Sequence, residues 1–360
     1  MRHGMVGLLL ALLFISAAPA QDKKKDKEPD KKKDLGKKED PKSGTPPEIS
    51  EILGKSFREW QKEIHSPDPS KREAAMKAVV QFGPDRAYDA VGDILQELEK
   101  HNKTPIDLAA RVNGTMALNT IFKFKKDPDP KHIQRTIAIY RVFLKDEQVI
   151  MKMRALQGLF YLGPACRELL PEVRTLAAAK GSLTWEIRKE AVQALGFMGF
   201  TETGANPVVI GDLVRALDDT SYQVRVAAMF AIAQISNGST LEQKGQLAAK
   251  LNSVLKDEPD MHVIITAHLT LMTLEKKVSA NHLNPIIKQA RSKDPSIRLV
   301  AIQSLAMTGK DGKAAVPMLL ETISDPEVTF AVAAINSLVS MEVDEVIPHL
   351  KKIMADKAAN

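Results

Sequence analysis

The sequence predicts an all-α protein, an array of about eight helical-hairpin repeats preceded by an export signal and a charged linker. Three observations carry that prediction. One pattern of residue types returns every 33–41 residues from Ser66 to the C-terminus. Within each copy, small and aliphatic residues stand three, four and seven places after an anchor, on one face of an α-helix. No stretch alternates apolar and polar residues between hairpin turns, and aromatic residues make up only 5% of the chain, although strands favour them.

The chain has 360 residues, of which 44% are hydrophobic, enough to bury a large core and to exclude wholesale disorder. Cys166 is its single cysteine, so a disulfide framework, a CxxC redox pair, a zinc knuckle and a CxxCH haem site are excluded within the chain. Residues 1–20 read as a signal peptide. Met1-Arg2-His3 is basic, Met5 to Ile15 is almost entirely apolar, and Ala18-Pro19-Ala20 supplies the small-x-small pattern of a cleavage site, leaving Gln21 at the mature N-terminus. The apolar run is shorter than the roughly 20 residues that span a bilayer. The expectation is an exported protein, periplasmic or secreted, with no stable membrane insertion after cleavage.

Residues 21–47 are low in complexity, with ten Lys against seven Asp or Glu and no aromatic residue. Such a segment cannot bury enough surface to offset its ordering entropy, and it reads as a disordered, solvated linker. Weak contact with anionic envelope components is the functional alternative. It lacks the interleaved aromatics on which single-strand nucleic-acid binders stack bases, and no nucleic-acid partner is expected. The signal carries one positive charge and the linker three of the formal +6, so the remainder is close to neutral.

Residues 48–65 are expected to form an N-terminal capping helix. Ile49, Ile52, Leu53, Phe57, Trp60 and Ile64 fall on one stripe, which makes Trp60 a packing residue. Residues 66–360 hold the repeats. The anchors are Arg72, Arg111, Lys152, Arg188, Arg225, Ile264, Arg298 and Ala331. Three residues after them stand Ala75, Gly114, Ala155, Ala191, Ala228, Ala267, Ala301 and Ala334. Seven residues after them stand Val79, Leu118, Leu159, Leu195, Ile232, Leu271, Leu305 and Leu338. A small residue mid-face admits a neighbouring helix, and the aliphatic fills the space left. Asp68-Pro69, Asp294-Pro295 and Asp325-Pro326 place an N-cap acceptor before a Pro at the first helical position. Gly83, Gly163, Gly199 and Gly309 stop four of these helices, and a second amphipathic helix follows each. The C-terminus has no counterpart of the N-terminal cap. Lys351, Lys352 and Lys357 give its last helix a polar face, and a homodimer through that end is the alternative.

Asp294, Pro295, Arg298, Ala301, Leu305 and Gly309, followed by Ala315, Pro317 and Leu319, resemble the HEAT repeat, and more closely the HEAT-like repeats also found in phycobilisome lyases. The order of signal, charged linker and repeat array resembles secreted bacterial proteins of this type. The resemblance implies an α-α superhelix, an armadillo/HEAT-type solenoid, with the second helices lining its concave side. The copies at Arg111 and Ile264 rest on periodicity alone.

A search for chemistry returns little. Gly54-Lys55-Ser56 lacks the earlier glycine of a P-loop, since Ile49 stands there, and no strand precedes it. No G-x-S-x-G elbow or H-E-x-x-H site is present, and no His is followed by Glu. His262 and His268 lie on different sides of one helix, and His268 takes a core-facing slot. Cys166 opens a second helix, where a helix N-terminus lowers a thiol pKa, but a small apolar core position reads better. No cofactor or metal is expected. The row Arg72, Arg188, Arg225 and Arg298 has two readings: bridges to Asp68, Asp219 and Asp294, or a phosphate-binding row. The function expected is a non-catalytic extracytoplasmic scaffold that binds protein partners. The alternatives are an accessory subunit of an envelope enzyme, suggested by the lyase-like repeats, and an envelope-polymer binder acting through the Lys-rich linker.

Overall fold

A computed structural model describes residues 49–100, 107–181, 183–344, 346–348 and 351. The signal and the linker lie outside the described residues. The chain is all-α, built from helical pairs in series. The first helices of the pairs, the A helices, are α2 (Pro69–Val79), α5 (Leu108–Phe124), α7 (Val149–Leu162), α9 (Trp185–Met198), α11 (Tyr222–Ile235), α13 (Met261–Glu275), α15 (Pro295–Leu305) and α17 (Val328–Ser340). The second, or B, helices are α4 (Val91–Lys100), α6 (Pro130–Phe143), α8 (Leu170–Ala178), α10 (Pro207–Ala216), α12 (Leu241–Asp257), α14 (Ala280–Gln289) and α16 (Val316–Thr322). Two further helices, α1 (Phe57–Glu63) and α3 (Pro84–Tyr88), are short, and residues 346–348 and 351 are also helical. Each A helix packs on the next A helix, and each B helix packs on the A helix that follows it, from α4 on α5 to α16 on α17.

The residue types dictate this stacking. All eight small residues and all eight aliphatics of the repeat are buried, Ala191, Ala228, Ala301, Leu195 and Leu305 among them. The closest approach is between α9 and α11, where a Cβ on Gly196 would stand 2.8 Å from both the Cα and the Cβ of Ala231. Capping carboxylates and amides start many of the helices: Asp68 accepts from the Ser70 amide at 2.9 Å, Asn206 from Val208 at 3.0 Å and Asp294 from Ser296 at 2.8 Å, each followed by Pro at the first helical position. The core forms two clusters that meet in α13, with Val263, Ala267 and Leu271 facing the first and Ile265, Leu269 and Met272 the second.

Three expectations are corrected. The N-terminal cap is not one helix over 48–65. Strands β1 (Glu51–Ile52) and β2 (Lys55–Ser56) pair antiparallel around Leu53 and Gly54, both at positive φ. Gly54 accepts that conformation and closes a two-residue hairpin. Ser56 and Glu59 then form a capping box that starts α1 only at Phe57. Leu53 is therefore 87% exposed, whereas Phe57, Trp60 and Ile64 are buried and the Trp60 indole donates to the Ile52 carbonyl at 2.9 Å. A second short hairpin, β3 (Phe200–Thr201) with β4 (Gly204–Ala205), links α9 to α10. Strands of two residues are too short to show a period of two. Asp325 is not a helix cap: α17 starts at Val328 after Glu327, and the Asp325 carboxylate accepts the Glu327 amide at 2.9 Å.

Gly196→Val drives methyl groups into Ala231 and is expected to cost about 2 kcal/mol or more through overpacking. Urea unfolding of the variant against wild type checks it.

Candidate interaction surface

The anchor residues lie at the turns between repeats, where Arg72, Arg188 and Arg225 each reach in two directions. Arg188 donates to its own turn, at the Leu183 carbonyl (2.6 Å), and forward to both oxygens of Asp219 (2.8 and 2.9 Å). The Asp219 carbonyl accepts Arg225 (2.9 Å), and Arg225 reaches forward to both oxygens of Glu258 (2.7 and 2.9 Å). Arg72 donates to the Ser66 and Pro67 carbonyls and pairs with Asp107, Arg111 pairs with Asp146, and Arg298 pairs with Asp325 at 2.5 Å. Lys152 donates to the Asp146 carbonyl. Asp146, Asp219, Glu258 and Asp325 each also accept the backbone amide two residues on. The result is a series of clasps, and the turns at Asp146 and Asp219 are each held by their own anchor and by the anchor of the preceding repeat.

Of the three acids read as bridge partners, only Asp219 serves. Asp68 and Asp294 are consumed as helix caps, because they stand four residues before the anchor and face the first turn of their own helix. The bridging acid stands six residues before the anchor in four turns and four before it at Asp107. A signal for this was present in the repeats. The position six before the anchor is acidic in four turns whose preceding anchor is Arg, and it is Ser182 or Ser292 where the preceding anchor is Lys152 or Ile264. Ser182 itself lies outside the described residues. The guanidinium groups of Arg72, Arg111 and Arg188 are buried in these clasps, which leaves them closed to an external phosphate.

Electrostatics follow burial. Burial works to raise the Asp219 carboxyl, but the Arg188 guanidinium and the Ser221 amide outweigh it and hold the group below the usual carboxylate range. Burial pushes the Cys166 thiol up to about 12, and its Sγ donates to the Gly163 carbonyl at 2.9 Å, so the helix start does not activate it. His268 and His282 were not paired by sequence reasoning, being on different helices. Their Nδ1 atoms stand 3.0 Å apart, and burial, then the His282 neighbour, pushes His268 down to about 4. Among the described residues no group of three or more His, Cys, Asp or Glu is placed to hold a metal ion, and no helix is long and apolar enough to cross a membrane.

The outer surface divides into two kinds. Ion pairs join successive B helices or the turns beside them: Arg135 to Glu99 (2.8 Å), Arg141 to Glu168 (2.8 Å), Arg174 to Asp212, Lys250 to Asp218 (2.7 Å) and Arg291 to Glu321 (3.1 Å). Exposed pairs of this kind contribute about 0–1 kcal/mol each. At the A-helix N-termini the surface is apolar instead. Val149, Trp185 and Tyr222, each three residues before its anchor, occupy the first position of α7, α9 and α11 and are exposed. Tyr222 stacks on His262 of the next repeat (5.4 Å between centroids), and His262 lies 3.2 Å from the Ser296 hydroxyl in the repeat beyond.

A family model described as HEAT repeats matches residues 283–360. Residues 283–360 are thus similar to HEAT repeats. A second model, described as non-SMC mitotic condensation complex subunit 1, matches residues 186–306. No curated protein sequence matches the chain. The fold is similar to a homology model of the full-length AP-3 complex (14% identity, TM-score 0.54, 84% of this chain and 53% of that one). It is also similar to Kap121p bound to Pho4p (14% identity, TM-score 0.50, 84% and 36%) and to an engineered protein (19% identity, TM-score 0.42, 82% and 81%). The chain thus spans about half and about a third of the AP-3 and Kap121p chains it matches, and at these identities the likeness is one of fold.

Two outcomes are expected. Arg188→Ala leaves the Asp219 carboxylate buried without its cation and costs about 3–5 kcal/mol, whereas Arg298→Ala, at a more exposed pair, costs less; urea unfolding compares them. The folded protein binds a proton at His268 less readily than the unfolded chain, so this site contributes its stability in full above about pH 6.5 and loses it as the pH falls toward 4. Melting curves between those values check it, and His268→Leu flattens the decline.

Proposed function

We propose that this HEAT-repeat chain is a non-catalytic, extracytoplasmic scaffold that holds an extended protein partner against the A-helix N-termini. The observation that carries the reading is the exposed row Val149, Trp185 and Tyr222, one residue per repeat at the same helical position. Trp and Tyr bury large, rigid surfaces and dominate the energetics of interfaces. Packed helices lie about 8–10 Å apart, the length of about three residues of extended chain. The row suits a partner segment with an apolar side chain at about every third position. Export is supported by the n-region, apolar run and Ala18-Pro19-Ala20 of the N-terminus. The folds of the AP-3 and Kap121p structures, one described as a complex and the other as bound to Pho4p, accord with a protein-binding role.

Affinity capture from an envelope extract with the mature chain is expected to recover a specific protein, and Trp185→Ala with Tyr222→Ala to lose it by about tenfold or more, the usual effect of removing two aromatic anchors. Deleting residues 21–45 is expected to leave capture intact. Loss on that deletion moves the binding to the Lys-rich linker and an anionic polymer, and recovery of no specific protein counts against the scaffold. N-terminal sequencing of exported protein is expected to begin at Gln21.

A further inference from the structure

The last A helix carries an apolar face that every other A helix uses for stacking. The face that an A helix turns to the next repeat holds the positions one, four and eight residues after its anchor. Asn119, eight after Arg111, donates to the Arg154 carbonyl of the next repeat at 2.9 Å, and Gly196, eight after Arg188, meets Ala231 of the next repeat. Ile302, four after Arg298, presents its carbonyl to Ser337 of the next repeat at 2.9 Å. In α17 these positions are Val332, Ile335 and Val339. Val332 is 49% and Val339 60% exposed, while the same positions of the preceding helices are buried or half-buried. Among the described residues nothing packs there. The polar face expected of the helix that carries Lys351, Lys352 and Lys357 lies mostly outside the described residues.

We propose that this face is the contact between two copies of the chain, joined tail to tail about a two-fold axis through the α17 helices. Two further observations select a second copy, arranged in this way. A two-fold interface sets each residue against the same patch, so any charge on it faces its own like. The segment Val328–Ser340 has no ionisable side chain, in contrast to every other A helix, so α17 meets itself without repulsion. Head-to-tail stacking is disfavoured at the opposite end. There α1 buries Phe57 and Trp60 inward and leaves Arg58, Glu59 and Lys62 exposed, a charged face with no apolar row to offer α17. A tail-to-tail pair closes on itself, with the face at Val332, Ile335 and Val339 meeting its own copy. This inference stands apart from the partner row at Val149, Trp185 and Tyr222, which lies on other repeats.

The test is sedimentation and light scattering of the full mature chain from about 1 to about 100 µM, a range that resolves micromolar association. A concentration-dependent dimer is expected. Val332→Glu with Val339→Glu buries unpaired carboxylates from both copies and is expected to weaken the dimer by at least about 100-fold. Both side chains are solvent-exposed in the single chain, so the melting temperature extrapolated to low concentration is expected to stay at the wild-type value. Asn336→Cys, on the same exposed stripe, is expected to form an intermolecular disulfide in the dimer, since Cys166 is buried. A wild-type chain that remains monomeric across the range overturns the proposal. So does a dimer that survives the glutamates, or one that does not cross-link through residue 336.

Discussion

Every A helix in the interior of this array is buried on two opposite faces at once, and the rest of the structure depends on that constraint. A helix between two others has room for close neighbours only where its own side chains are small. Ala, or Gly at position 114, therefore stands three residues after each anchor, and the residue seven after it is aliphatic and fills the gap. The B helices are under less demand. Each is buried along one stripe, and their outward sides hold ion pairs such as Arg135–Glu99 and Arg174–Asp212. The two layers differ in composition because one is enclosed from both sides and the other is not.

Close stacking alone leaves neighbouring repeats free to slide or rotate against each other, since apolar contact is non-directional. The clasps at the turns restrict that freedom. A buried ion pair often returns little net stability, because desolvation opposes the Coulomb attraction. Its geometry is nonetheless exacting. Arg188 must satisfy Leu183 on one side and both oxygens of Asp219 on the other, and Asp219 must meet Arg225 through its carbonyl as well. Such a chain sets the angle between repeats rather than the depth of the core. At α13 the anchor is Ile264 and the facing turn offers Ser292, neither of which carries a charge, and this is the helix in which the two clusters of the core meet.

Much of this was legible in the sequence. The period, the eight anchors, the buried small and aliphatic positions and the Asp-Pro starts at Asp68 and Asp294 follow from helical geometry, which a single sequence displays directly. The hairpin at Leu53-Gly54 was hidden because the apolar stripe from Ile49 to Ile64 has helical spacing, and the strong local signals, Gly54 and the Ser56–Glu59 capping box, act against it. The bridging acids were misassigned for a related reason. Asp68 and Asp294 stand near an Arg in sequence, yet a helix cap is a local bond with no loop to close, and it takes the carboxylate first. The interaction surface was least legible. Trp185 and Tyr222 occupy first helical positions, where periodicity does not distinguish a core residue from an exposed one, and only the path of the turn places them outside.

The same reasoning separates the ends of the array. Interior repeats cover each other, so the first and last described repeats each have one face that the repeat pattern makes apolar and that no described repeat covers. At the N-terminal end the chain meets this with a hairpin and α1, tied down by Gln61 to Asp93 (2.7 Å) and by His65 between Asp93 (3.0 Å) and Glu97 (3.1 Å). At the other end α17 keeps the residues of an interior helix: Val332, Ile335 and Val339 at the stacking positions, and no charge along its length. A terminal helix that needed only water on that face would gain from polar residues there, as α1 shows with Arg58, Glu59 and Lys62. The composition of α17 is that of a helix with a neighbour, and it is the difference between the two ends, more than the exposure itself, that gives the C-terminal face its meaning.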